Sequence, residues 1–320
     1  MHTPPRRIVI MGASSGIGAA TAIAFARQGA QLVLGARGKE GLADIAWRCR
    51  QAGGTATVKV VDATDADAVA SFARFARREL GQIDLWFSNV GAGVVGKFAD
   101  VPLADHHRVI ETNLISHMND AHAVMPIFLE QDHGIWVNMI SAGAFVASPY
   151  SAAYSASKFG LRGFSQALRA EVGKNPHIHV CDVYPTFVDT PGFAHAANYT
   201  GARMKFPPGA LAPETVADAI VALAQHPRAT TAVGAPASML TLSQFATPDL
   251  LASGMNSFLS RWSKKARRVP LTKGALYQPT AGADGLYSGQ ARHEQSGNKT
   301  LIVGAAVVAA ALGVQLLRKR

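Results

Sequence analysis

The chain has 320 residues, 48% of them hydrophobic and 16% charged, which excludes a largely disordered protein and predicts a sizeable buried core. Its two cysteines, Cys49 and Cys181, are too few for a disulfide framework or a thiolate metal site. The net charge of +10 is unevenly spread, because residues 1–250 carry 20 Lys and Arg against 19 Asp and Glu, whereas residues 251–320 carry 11 against 2. A neutral body argues against a nucleic-acid-binding protein.

The chain begins with a strand, a glycine-rich turn and a helix, an order typical of nucleotide binding. Residues 7–11 form the predicted strand, and residues 19–28 form an alanine-rich helix. Glycines let the backbone approach a pyrophosphate, and the helix N-terminus offers free N–H groups and a positive dipole end. An ordinary strand–helix turn is the alternative. The residues that we assign to the cofactor here are Gly12, Ser14, Ser15, Gly16, Ile17 and Gly18.

The second predicted strand, residues 31–36, ends beside Arg37. An NAD-binding site usually has an acidic side chain at this place, which grips the ribose hydroxyls. A guanidinium would instead pair with a 2′-phosphate, so the sequence predicts NADP rather than NAD. A solvated surface arginine is the alternative.

Strands and helices continue to alternate, which predicts an α/β protein with a Rossmann-like, doubly wound parallel sheet of about seven strands and helices on both faces. Asp62 follows the third strand, where it is placed to meet an adenine edge, and Thr64 is the expected cap of the next helix. The further predicted strands span residues 55–61, 84–87, 134–140, 178–183 and 230–233, and the further helices include residues 39–51, 65–80 and 103–130.

Tyr154 and Lys158 lie four residues apart, a spacing that places both on one face of a helix. A nearby ammonium favours the phenolate and is expected to lower the pKa of Tyr154, which suits a general acid or base. The spacing alone arises often by chance. Ser141 follows the strand over residues 134–140, at the sheet edge where open α/β proteins bind ligands, and Asn113 lies midway along the helix over residues 103–130.

Together these features resemble the short-chain dehydrogenase/reductase family over residues 6–235. The resemblance implies an oxidoreductase that transfers a hydride between NADP and an alcohol or ketone. Met11, Ser88, Val90 and Thr186 depart from the family pattern, but none of these changes removes a catalytic group. The motifs that carry the resemblance are Gly12-x-x-x-Gly16-x-Gly18, Asp62, Asn89-x-Gly91, Asn113, Ser141, Tyr154-x-x-x-Lys158 and Pro185-x-x-Val188-x-Thr190.

The resemblance also implies a role for each matching residue. Tyr154 would be the general acid/base, Lys158 would lower its pKa and hold the nicotinamide ribose, and Ser141 would orient the substrate oxygen. Asn113 would hold a water in the proton relay. The cofactor would further contact Asn89, Gly91, Tyr154, Lys158, Pro185, Val188 and Thr190.

The segments expected to line the substrate cavity are apolar. Residues 142–147 follow Ser141, and residues 187–213 combine aromatic side chains with prolines and glycines, which is typical of a lid over a hydrophobic site. We therefore expect a hydrophobic alcohol or ketone, such as a steroid-, retinoid- or lipid-like compound. We expect no metal site, because the histidines lack carboxylate or cysteine partners at ligand spacing.

The C-terminal part separates into a basic, flexible linker over residues 236–298 and an apolar helix over residues 299–320. Within the linker, residues 257–273 mix apolar and basic side chains, which suits an anionic membrane surface or a solvated basic segment. The apolar helix is long enough, at about 27 Å for 18 residues, to be a short membrane anchor. A helix docked on a partner subunit is the alternative.

We therefore expect a catalytic domain over residues 1–235 in the cytoplasm, tethered to a membrane through the C-terminus. The resemblance implies a homodimer or homotetramer. A rival hypothesis from another functional class is a catalytically idle nucleotide-binding scaffold or redox sensor at a membrane.

Overall fold

The structure is a computed structural model, and it describes residues 6–204, 209–234, 248–279 and 285–288. One parallel sheet of seven strands has the order β3-β2-β1-β4-β6-β7-β9, and β5 pairs with β8 beside it. The strands are β1 (Arg7–Met11), β2 (Gln31–Ala36), β3 (Thr55–Val60), β4 (Leu85–Ser88), β5 (Val94–Val95), β6 (Gly134–Met139), β7 (Ile178–Pro185), β8 (Ala197–Asn198) and β9 (Thr230–Val233).

Helices cover both faces of the sheet because the central strands are apolar on both sides. In β1, Ile8 and Ile10 pack toward α1, α2 and α8, whereas Val9 and Met11 pack toward α3, α5 and α6. This arrangement confirms the predicted doubly wound sheet of seven strands. The helices are α1 (Gly16–Ala26), α2 (Lys39–Gln51), α3 (Ala66–Leu80), α4 (Leu103–Ile110), α5 (Ser116–Gln131), α6 (Ala152–Val172), α7 (Pro191–Ala194), α8 (Pro213–Gln225) and α9 (Pro248–Lys265).

Two local predictions need correction. The predicted helix over residues 103–130 is α4 and α5 joined by a π-helical turn, Glu111–Ile115, in which Asn113 lies at the centre. The cap of α3 is Asp65 and not Thr64, because the Asp65 carboxylate accepts a hydrogen bond from the N–H of Ala68 at 3.0 Å.

The described C-terminal residues pack against the catalytic body, although a flexible linker was expected there. Asn198 and Thr272 form an antiparallel bridge, as do Ala202 and Arg268. Leu276 is only 1% exposed. The predicted boundaries at residues 235 and 298 stay predictions.

The predicted apolar helix, residues 299–320, lies outside the described residues. Within the ranges that the structure describes, no helix is both long enough and apolar enough to cross a membrane.

Candidate active site

The glycine turn between β1 and α1 is closed by the segment that follows β4. Gly12 has a φ of +82°, in the left-handed region that favours glycine, and its carbonyl accepts a hydrogen bond from Asn89 Nδ2 at 3.1 Å. A Cβ on Gly18 would lie far inside van der Waals distance of the same carbonyl oxygen. The sequence therefore needs glycine at both positions to bring the start of α1 close to β1 and β4.

The start of α1 presents the backbone that the sequence assigns to a pyrophosphate. Ser14, Ser15 and Ile17 are half-buried there, and Ser15 precedes the helix in an extended conformation. The N–H of Gly16 already donates to the carbonyl of Gly285 at 2.8 Å. One helix N-terminal donor is thus satisfied by the C-terminal part of the chain, a contact that the motif did not predict.

Arg37 and Asp62 follow two neighbouring strands, β2 and β3, so both lie at one end of the site. Asp62 Oδ1 accepts hydrogen bonds from the N–H and hydroxyl of Thr64 at 3.0 and 2.8 Å, and its Oδ2 lies 3.4 Å from Arg108 Nη2. Burial alone would raise the pKa of Asp62, but the Thr64 hydrogen bonds and the charges of Arg108 and Arg37 outweigh it and hold this pKa below its usual value.

Tyr154, Lys158 and Ser141 converge at the carboxyl end of β6. Lys158 is 4% exposed, its Nζ donates to the carbonyl of Met139 at 3.2 Å, and Nζ lies 5.9 Å from the centre of the Tyr154 ring. The Ser141 side chain hydrogen-bonds the Tyr154 phenol, and Ser141 Oγ accepts from the N–H of Gly143 at 3.0 Å. Tyr154 and Lys158 thus lie on one face of α6, as their spacing predicted, and this face meets Ser141 at the end of β6.

The predicted direction of the Tyr154 pKa shift is wrong for the protein as the structure describes it. Burial raises the pKa of Tyr154, and the hydrogen bond from Ser141 only partly opposes this rise. Burial also lowers the pKa of Lys158 to about 7. Both shifts have one cause, because removing either group from water disfavours its charged form. Helical spacing shows that two side chains are neighbours, but it does not show how far each of them is shielded from water.

Asn113 connects the segment after β4 with α6. It is fully buried, and its amide exchanges two hydrogen bonds with the backbone of Ala92, at 2.7 and 2.9 Å. Its Nδ2 also donates to Ser157 Oγ at 3.2 Å. Asn113 therefore fixes the distance between these two walls of the site, and its role in holding a water stays a prediction.

The end of β7 approaches the glycine turn from the other side. Pro185 ends this strand, Val188 is buried, and a Cβ on Gly16 would lie 3.1 Å from Thr190 Cβ. On the β4 side, a Cβ on Gly91 would lie 3.7 Å from Asn113 Oδ1. The structure thus gathers the predicted cofactor residues of β1, β4, β6 and β7 at one sheet edge, where open α/β sheets place their ligands.

Sequence reasoning missed Arg108 and a C-terminal segment that touches the end of the site where Arg37 and Asp62 lie. We refer to residues 271–279 as the strap. Arg37 Nη1 and Nη2 donate to the strap carbonyls of Tyr277 and Ala275 at 2.8 and 3.0 Å, and Arg108 Nε donates to Leu276 O at 3.4 Å. No local motif marks these contacts, because they join residues about 170 to 240 positions apart.

No group of three or more His, Cys, Asp or Glu side chains is arranged to hold a metal ion among the residues that the structure describes.

Comparisons with known proteins identify the family. The short chain dehydrogenase family model matches residues 6–199. The uncharacterized oxidoreductase YxnA of Bacillus subtilis is 29% identical over 317 residues, which are 94% of this chain and 87% of YxnA. A 1-deoxy-11-beta-hydroxypentalenate dehydrogenase of Streptomyces avermitilis is 35% identical over 209 residues, which cover 63% of this chain and 76% of that protein.

The fold of a solved relative agrees. An alcohol dehydrogenase from the archaeon Thermococcus sibiricus, complexed with 5-hydroxy-NADP, matches with a TM-score of 0.62 and 26% identity, over 71% of this chain and 95% of that one. The chain therefore belongs to the short-chain dehydrogenase/reductase family, and it is an oxidoreductase that acts on alcohol or carbonyl groups with a nicotinamide cofactor.

Proposed function

We propose that the protein is an NADP-dependent oxidoreductase that interconverts a hydrophobic alcohol and its ketone, with Tyr154 as the general acid/base. The observation that supports this best is the convergence of Tyr154, Ser141 and Lys158 at the end of β6. Tyr154 is half-buried and packs against an apolar cluster that includes Val94, Val101 and Ala197, which shields part of the ring from water.

Each side chain has a distinct role in ketone reduction. When bound, the nicotinamide supplies the hydride. The Tyr154 phenol gives its proton to the substrate oxygen, and the Ser141 hydroxyl hydrogen-bonds the same oxygen and orients it. The raised pKa of Tyr154 keeps the phenol protonated at neutral pH, so the resting protonation state already suits reduction.

A buried lysine should make the rate depend on pH. We expect kcat/KM for ketone reduction to fall as the pH rises through about 7, because Lys158 loses its proton there while Tyr154 keeps its own. The measurement is a kcat/KM profile of wild type and Lys158→Met across the neutral range. Lys158→Met should have a lower kcat/KM than wild type, and its kcat/KM should not fall as the pH rises through about 7. A wild-type profile that stays flat across neutrality would contradict the role of Lys158.

Arg37 should set the cofactor preference. We expect Arg37→Gln to weaken NADPH binding by about tenfold, the worth of one charge-assisted hydrogen bond, and to leave NADH binding nearly unchanged. Fluorescence titration with both cofactors measures this. The matched control is Arg27→Gln, an exposed arginine just past the far end of α1. If the wild-type protein bound NADH more tightly than NADPH, the proposed preference for NADP would be wrong.

The aromatic side chains after β7 support an apolar substrate. Phe187 is 53% exposed and packs edge-on against Phe193, with ring centres 6.4 Å apart. A screen of NADPH consumption over hydrophobic ketones and aldehydes tests this substrate class. Turnover confined to small, charged carbonyl compounds would contradict it.

The rival hypothesis of a catalytically idle scaffold or redox sensor has less support, since the acid/base group and its partners are all present. Membrane association through the C-terminus and assembly into a homodimer or homotetramer stay predictions. A full-length protein that stays soluble without detergent would contradict the membrane anchor.

A further inference from the structure

The strap bridges the cofactor site and the segment expected to cover the substrate. We propose that the strap positions the Arg37 guanidinium and thereby sets the preference for NADP over NAD. This inference rests on the proposed NADP-dependent function. It concerns residues 271–279, which lie beyond the part of the chain that the family model matches.

The strap holds Arg37 through uncharged groups. Two backbone carbonyls, of Tyr277 and Ala275, accept from the two terminal guanidinium nitrogens at 2.8 and 3.0 Å. These contacts fix the plane of the guanidinium without adding negative charge to it. An arginine has five N–H donors, so further donors remain for a phosphate.

The neighbouring carboxylates are engaged by a different arginine. Arg108 lies 3.4 Å from both Asp62 and Glu111, and its guanidinium carbon lies 5.9 Å from the centre of the Tyr277 ring. Arg108 thus contacts both carboxylates in place of Arg37, and it also supports the strap by donating a hydrogen bond to the carbonyl of Leu276. The result is a held, positively charged fork at the adenosine end, which suits the phosphomonoester that distinguishes NADP from NAD.

The strap has its own anchors, so it can hold Arg37 rather than be held by it. Thr272 and Asn198 exchange backbone hydrogen bonds at 2.8 and 3.1 Å, and the N–H of Ala275 donates to His195 O at 2.9 Å. The Tyr277 hydroxyl donates to Asp105 Oδ1 at 2.7 Å. Leu276 is buried among side chains of β5, α4, α6 and β8. Pre-organisation of this kind lowers the ordering cost of binding.

Leu276→Ala tests the inference because it loosens the strap without touching Arg37. We expect its NADPH dissociation constant to rise by about tenfold, as for the loss of a positioned charge-assisted hydrogen bond, and that for NADH to change by less than about twofold. The matched control is Leu271→Ala, since Leu271 belongs to the same strap but is 61% exposed. The Leu271→Ala variant should have the same ratio of NADH to NADPH dissociation constants as wild type. Both are measured by fluorescence titration of the full-length chain.

A milder variant covers the case in which Leu276→Ala fails to fold. Tyr277→Phe removes only the hydroxyl that anchors the strap to Asp105. It should raise the NADPH dissociation constant relative to the NADH dissociation constant, but by less than Leu276→Ala does. If both cofactors weaken equally, the strap is a general wall of the site and the inference is wrong. If either variant binds NADPH more tightly, the strap competes with the cofactor, and the inference is wrong again.

The strap proposal and the functional proposal fail in different places. A wild-type protein that does not prefer NADPH overturns the proposed function, and the inference falls with it. A wild-type preference that Leu276→Ala and Tyr277→Phe both retain overturns only the role of the strap.

Discussion

Replacing Tyr154 with Phe is expected to lower kcat for ketone reduction by about 100-fold to 10,000-fold, the usual worth of a positioned general acid. The phenol is the group that Ser141 hydrogen-bonds and that Lys158 approaches, which supports the proposal that its hydroxyl gives the proton to the substrate. Phenylalanine keeps the ring and its apolar contacts. NADPH binding and thermal stability should therefore stay close to wild type.

The control for this variant is Tyr150→Phe, which removes a tyrosine hydroxyl from the loop just before α6. We expect that variant to keep most of its turnover. Single-turnover measurements with saturating NADPH would separate the chemical step from product release. If Tyr154→Phe retained a tenth or more of the wild-type rate, the proton would have to come from another group.

Replacing Gly18 with Ala should also cause a large loss of activity, seen in kcat/KM for NADPH. The added Cβ would collide with the Gly12 carbonyl and approach Asn89 Nδ2 to 2.8 Å, and the first contact is with backbone that cannot rotate away. The turn must shift, and a misplacement of about 1 Å can cost about 100-fold in rate. We expect a loss of this size in kcat/KM for NADPH. Overpacking of this kind also lowers the free energy of unfolding by about 1–3 kcal/mol.

Gly163→Ala is the matched control for Gly18→Ala. Gly163 is also in a helix, α6, but a Cβ there meets no atom within 4 Å. Its alanine variant should be as stable as wild type or gain up to about 1 kcal/mol from helix propensity. Chemical denaturation of both variants measures the difference. Equal cofactor kinetics in the two variants would mean that the glycine turn does not shape the cofactor site.

The fold was readable from the sequence where a pattern is local. All residues of β1 after Arg7 and all residues of β4 before Ser88 are apolar, which is typical of strands buried on both faces. The glycines between β1 and α1 mark a turn with no room for side chains. Residue types in a fixed order then placed Ser141, Tyr154 and Lys158 in one site. These predictions rest on neighbours in the chain or on one sheet edge.

What the sequence did not show depends on distance and burial. Nothing in residues 271–279 distinguishes Leu276 as a buried anchor, since its apolar neighbours come from four separate elements. Arg108 is one charged residue on a helix, and its contact with Asp62 requires the packed structure. The pKa shift of Tyr154 had the wrong predicted sign because desolvation is a property of the assembled site.

The π-helical turn at Asn113 has a consequence for the length of the chain. The buried positions along α4, the π-helical turn and α5 run from Asp105 to Phe128. Their average spacing along the chain is slightly wider than the 3.6 residues per turn of an α-helix. The wide turn absorbs the extra residue, so Asn113 can face Ala92 while Val124 and Phe128 still face the sheet. Deleting one residue from Glu111–Ile115 would therefore remove the wide turn and leave the buried faces of α4 and α5 aligned, but it would take Asn113 out of its place beside Ala92. The extra residue thus serves the active site and is not needed by the core.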